Sequence, residues 1–217
     1  MITFHKTVAK HRCARIISIG HRCSSAIAIK GAGFRKESFP FDWAGSQNSH
    51  NVFAAIEDDL ADFMPERGHL INRYGIGLPH LDASKSIEEN EATMKRRCDR
   101  FLDVLRTERR KVLLVYANED YLYSEAHRGV HSRKLFDGVL SISQLLRHKY
   151  PHLDFHILYI DGVVYDHTPF VTSVAMLVNT NDLINEKGSK ASNALGQEFR
   201  WQLSKFLRTS VSVDKTE

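Results

Sequence analysis

The hydrophobic and polar positions along this chain follow two alternating periods. Short, nearly continuous apolar runs at residues 16–19, 111–117 (KVLLVYA), 155–160 and 174–178 predict buried strands, each bounded by polar residues or glycine. Between them, apolar residues recur at helical spacing. Ser24 or Ser25 is placed to cap a helix through residue 30, which Gly31 and Gly33 stop. Ser46 or Ser49 opens a second, with Val52, Phe53, Ile56, Leu60 and Phe63 on one face until Pro65 ends it. Ser86 with Glu89 has the form of a capping box, and the helix it opens runs to about residue 107 on a stripe of Met94, Cys98, Phe101, Leu102 and Leu105. A further helix over 131–150 turns Leu135, Val139, Ile142, Leu145 and Leu146 inward. A last one, opened by Ser192 or Asn193, buries Phe199, Trp201, Leu203, Phe206 and Leu207.

Strands alternating with helices predict an α/β fold, a mostly parallel sheet flanked by helices in a single layered domain over residues 1–208. The polar stretch 209–217 reads as a flexible C-terminal tail. In such sheets ligands bind beyond the carboxyl ends of the strands. Residues 20–25, 118–120 and 161–162 all fall at such ends and so point to one face. Two segments have no clear period. Pro40 breaks the stretch 34–43 while Phe39, Phe41 and Trp43 demand burial, and 67–84 (RGHLINRYGIGLPHLDAS) is rich in Gly, Pro and His.

Composition narrows the function classes. The chain has 217 residues, 42% hydrophobic and 26% charged, as expected of a folded domain, with a formal charge of +4. That excess suits an anionic ligand, yet no nucleic-acid-binding motif or aromatic-plus-basic platform accompanies it, so nucleic acid is not expected as a partner. No apolar run reaches the length of a signal core or a membrane span, which makes a cytoplasmic setting the default expectation. Three widely spaced cysteines with no C-x-x-C pair argue against a disulfide framework or a structural metal site.

Chemistry concentrates at the first strand end. Cys23 follows Gly20, His21 and Arg22 and precedes Ser24 and Ser25 at a helix start, where the helix dipole and adjacent cations lower a thiol pKa. Buried cysteines are commonly inert core, and Cys98 on its apolar stripe fits that description. A cysteine nucleophile needs a base within reach and a group to orient it. His80, in YGIGLPHLD with Asp82 two residues on, is the preferred base; His21 is the local alternative, and His69 and His127 are also available. Asp42 either orients a base or accepts the amides of its own turn. No Walker-type or G-x-G-x-x-G cradle is present, and most of the basic run 95–111 is interleaved with acids as a solvated helix face.

SIGHRCSSAIAIKGAGFRKESFPFDW resembles a family of unknown function described as putative papain-like cysteine peptidases, through Gly20 to Cys23, Gly33 to Arg35 and the Pro40 to Trp43 box. YGIGLPHLD is similar to that family's Tyr-Gly and His-Asp segment, with Leu81 between His80 and the acid. MKRRCDRFLDVL and KVLLVYANE look like its next helix and strand. The resemblance implies Cys23 as nucleophile and His80 as its partner, with Asp42 or Asp82 nearby. The expected activity is acyl or peptide bond hydrolysis on a small-molecule, glycan or peptide substrate, without a cofactor. Gly20, His21, Arg22, Ser24, Ser25 and Trp43 are expected to line the substrate site. The Gly-x-x-Cys turn is also similar to that of coenzyme A-dependent acetyltransferases of polysaccharide biosynthesis, which gives the alternative of acyl transfer with coenzyme A. A non-catalytic glycan- or phosphate-binding module is the third reading.

Overall fold

The computed structural model describes residues 10–46, 48–67, 69–123, 130–178 and 189–214. Its centre is a parallel sheet of four strands, β2 (Arg15–His21), β3 (Val112–Ala117), β4 (Phe155–Asp161) and β5 (Val171–Ala175), in that spatial order. A short strand β1 (His11–Cys13) precedes them and pairs in parallel with β6 (Val211–Val213). The helices are α1 (Ser24–Gly31), α2 (Ser49–Glu57), α3 (Ile87–Thr107), α4 (Val130–Lys149) and α5 (Ser189–Ser210).

Strands buried on both faces explain why β3 reads as an unbroken apolar run. Ile17, Leu114, Tyr116 and Ile157 point to one face, where α2, α3 and α4 contribute Ile56, Phe101 and Val139. Ile16, Leu113, Val115 and Leu158 point to the other, against Ala28 and Ile29 of α1 and Phe199, Leu203 and Phe206 of α5. The fold is therefore α/β with helices on both faces of a parallel sheet, as the alternation predicted.

Several local details differ from the sequence reading. Helix α2 stops at Glu57, because Asp59, Leu60 and Asp62 take positive φ; Leu60 and Phe63 still reach the core from the loop that follows. The cap of α2 is Asn48, whose side chain accepts the amide of His50, rather than either serine. The Ser86–Glu89 capping box forms as expected. β5 lies upstream of the expected 174–178, because pairing with β4 begins at Val171 opposite Ile157. Trp201 is 51% exposed under Lys205 instead of joining the inward stripe of α5. Within the polar stretch 209–217, α5 continues to Ser210 and β6 then pairs with β1; residues 215–217 lie outside the described residues. No helix among the described residues is long and apolar enough to cross a membrane.

Two contacts away from the strand ends lend themselves to tests. Gly138 lets α4 lie against the start of α2: a Cβ there would come within 2.8 Å of Ser49 Cβ, and Ser49 Oγ donates to Leu135 O at 2.9 Å. Gly138→Ala is expected to force the helices apart and destabilise the protein by about 1–3 kcal/mol, read as a lower midpoint in urea unfolding. At the opposite end of the sheet, the rings of His11 and His156 meet at a tilt with centroids 4.7 Å apart. Burial, then the charges of His11 and Lys111, hold the His156 imidazole down at about 4 from 6.5. Between those two values the unfolded chain binds the proton and the folded one does not, so stability falls as pH drops from 6.5 towards 4. His156→Gln should flatten part of that slope in urea unfolding across this pH range.

Candidate functional site

The polar residues that close β2, β3 and β4 meet in one buried network. Gly20, one residue before the end of β2, has a φ of +114° that suits a residue without a side chain, and the Gly20–His21 peptide is cis. His21 is wholly buried; its Nε2 lies 2.8 Å from Asp120 Oδ2 and its Nδ1 3.4 Å from the Tyr116 hydroxyl. Arg22 Nε reaches the other Asp120 oxygen at 2.8 Å. Burial pushes the Asp120 carboxyl up, but the His21 hydrogen bond and the charges of His21 and Arg22 outweigh it and hold the group at about 2. Deeper in, Asp161 accepts from Tyr159 at 2.6 Å, Ser132 at 3.2 Å, Asn118 at 3.3 Å and the amide of Gly162. Burial still raises its carboxyl above the usual range.

Cys23 sits where β2 turns into α1. It occupies the N-cap position, and its carbonyl accepts the amide of Ile27 at 2.9 Å. Cys13 and Cys98 are buried and their thiols are pushed up to about 11 and about 12; Cys23 is half-buried. Contrary to the expectation from the helix dipole, its thiol is also raised, by burial first and then by the charge of Glu119, with Arg200 and Arg22 pulling the other way. Ser24 Oγ donates a short hydrogen bond to Glu119 Oε2, and Arg200 of α5 lies 3.7 Å from the same oxygen. The charges of one carboxylate and two guanidiniums thus act on the thiol. The sequence alone marked Glu119 as a polar strand end, while nothing marked Arg200, which α5 brings in from far along the chain.

Ser24 and Ser25 are wholly buried and, with His21, support the turn from within rather than facing a ligand in this conformation. Ser25 Oγ lies 2.6 Å from Ser18 Oγ and 3.0 Å from Gly20 O. Arg22 is the outward member of the group, with 47% of its side chain exposed.

The second group of expected site residues gathers elsewhere. Asp42 caps its own 3-10 turn, Pro40–Trp43, by accepting the Phe39 amide at 3.0 Å, and pairs with Arg35 at 3.0 Å; burial nevertheless raises its carboxyl. Of its two sequence readings, the turn-capping one describes these contacts. His80 is exposed and meets the Trp43 ring edge-on at 5.8 Å. Asp82 is exposed and held at about 2 by Ser84 and Lys85. Trp43, His80 and Asp82 line a common cavity of about 390 Å³ that does not include Cys23. Among the described residues no hydrogen bond, ion pair or ring contact joins His80, Asp42 or Asp82 to Cys23, and the charges that act on its thiol are those of Glu119, Arg200 and Arg22. His69 lines a separate cavity of about 1170 Å³ between the loop after α2 and α3, and His127 lies outside the described residues. No group of three or more metal-ligating side chains occurs among the described residues.

The Cys23 environment has a signed consequence. Because Glu119 raises the thiol pKa and Arg200 lowers it, Glu119→Gln should move the pH profile of Cys23 alkylation to lower pH, and Arg200→Met to higher pH. Rates of iodoacetamide labelling in the folded protein, with Cys98 as internal reference, measure both.

Residues 14–93 match the model of a family described as putative papain-like cysteine peptidase (DUF1796). The match takes in Cys23, the Pro40–Trp43 turn and His80, and ends within α3, before Glu119 and Arg200. No curated protein and no solved structure matches the chain.

Proposed function

We propose that the chain is a cysteine-dependent hydrolase of acyl or peptide bonds, with Cys23 as its nucleophile. The observation that carries this reading is the setting of Cys23. It is the half-buried thiol of the three, at a helix start on the carboxyl edge of a parallel sheet, and the charges of one carboxylate and two guanidiniums act on it. The family match over the same segment supports it.

A thiol whose pKa is raised rests as the neutral form and must lose its proton as it attacks. In this reading Glu119 accepts that proton while Cys23 Sγ bonds to the substrate carbonyl carbon. Arg22, fixed to Asp120 at one nitrogen, offers its remaining N–H donors to the oxyanion. The leaving amine or alcohol takes the proton from Glu119, and a thioester on Cys23 remains. Water then attacks the thioester carbonyl, releasing the acid and returning a proton to sulfur. Arg200 keeps Glu119 within reach by its charge, and the wholly buried His21–Asp120 pair positions Arg22.

Intact-mass measurement after exposure to p-nitrophenyl acetate tests the assignment. An acetyl adduct that disappears in Cys23→Ala is the expected result. Glu119→Gln should slow acylation by about a hundredfold, while His80→Asn changes it by less than about threefold. The reverse order would restore the imidazole of the 67–84 loop as the base, and an adduct that survives in Cys23→Ala would remove Cys23 from the chemistry. Faster deacylation of the adduct by coenzyme A than by water would favour transfer over hydrolysis.

A further inference from the structure

The Pro40–Trp43 turn and the loop carrying His80 are the parts of the molecule that the thiol chemistry does not use. They are nonetheless built together. Gly45 and Gly77 exchange backbone hydrogen bonds in an antiparallel bridge, with both N···O distances 2.8 Å, which ties the chain after Trp43 to the chain before His80. The two segments and α3 line the open cavity of about 390 Å³, a volume suited to one small organic molecule.

Its lining carries two cations and one acid. Trp43, His80, Lys85, Thr93, Met94 and Arg97 face it, and the one acid there, Asp82, is already engaged by Ser84 Oγ at 2.6 Å, the Ser84 amide at 3.0 Å and Lys85 at 3.1 Å. Arg97 stands out among the neighbouring guanidiniums. Arg35 is used by Asp42 and by Ser38 Oγ at 2.7 Å, Arg100 donates to Ser38 O at 2.6 Å, and Arg96 donates to Thr93 Oγ1 at 3.0 Å. Among the described residues Arg97 has no hydrogen bond and no ion pair, although it is half-buried. Asp42 feels its charge, but that single carboxylate faces Arg35 and Arg97 together. A guanidinium partly removed from water without an acceptor is costly, and a planar anion satisfies it with paired N–H donors.

We propose that this cavity is a binding site for a ring-bearing organic anion, whose carboxylate or phosphate is taken by Arg97 and Lys85 and whose ring lies against Trp43. The site stands apart from the Cys23 reading and does not require it. Trp43 is also its reporter. The chain has two tryptophans, and Trp201→Phe on the exposed face of α5 leaves Trp43 as the sole indole.

The test follows the Trp43 indole N–H resonance of the Trp201→Phe protein during titration with benzoate, phenyl phosphate, inorganic phosphate and benzyl alcohol. Saturable shifts are expected with benzoate or phenyl phosphate, and the tighter of the two tells carboxylate from phosphate. Inorganic phosphate and benzyl alcohol, each lacking one half of the ligand, should bind at least about tenfold more weakly. Arg97→Met should weaken the acids by about tenfold or more, Lys85→Met by less, and Arg97→Lys should retain part of the affinity. Cys23→Ala should bind as the parent does. Equal binding of benzyl alcohol or inorganic phosphate, or unchanged affinity in a folded Arg97→Met protein, would overturn the proposal.

Discussion

A parallel sheet points all its strand ends one way, and the polar groups that gather there must be paired before they can be buried. In this molecule the requirement falls hardest on Asp120. Its carboxylate is held between the imidazole of His21 and the guanidinium of Arg22, two consecutive residues where the neighbouring strand ends. Without both partners the buried carboxylate would be left uncompensated, at a cost of several kcal/mol in effective terms. The shape of the β2–α1 turn, and with it the location of Cys23, follows from satisfying that one group.

The same constraint explains why Glu119 and Asp120, although adjacent, do different things. Asp120 turns towards His21 and Arg22 and is tied down twice. Glu119 turns to the α1 and α5 side, where Ser24 and Arg200 hold it beside the thiol. The result is a thiol held towards its neutral form rather than a resting thiolate. Oxidation acts chiefly on the thiolate, so this setting protects the sulfur.

Much of this was legible along the chain. The unbroken run in β3, the Ser86 capping box and the stripe through Cys98 follow from local periods of burial, and they gave the layered architecture. The turn from the first central strand into α1 was legible as well, from the glycine near the strand end and the serines that follow. What could not be read was pairing across distance. Asp42 and His80 are close in type to a catalytic acid and base, but the partners that define them, Arg35 for Asp42 and the Trp43 ring for His80, are fixed by how two aperiodic segments pack together. Arg200 sits on a helix whose pattern describes only its buried side. The early end of α2 had no signal either, since three non-glycine residues adopt positive φ there without any glycine or proline to announce it.

The pairing of β1 with β6 joins residues about two hundred positions apart, and α5, which leads into β6, also delivers Arg200. Contacts of such sequence separation carry the largest loop-closure cost and are expected to form late in folding. Until they do, the β2–α1 turn can already exist with Arg22 in it, yet Arg200, the other cation that lowers the Cys23 thiol pKa, is not in place. The electrostatic setting of Cys23 is therefore completed only when the two ends of the chain have met.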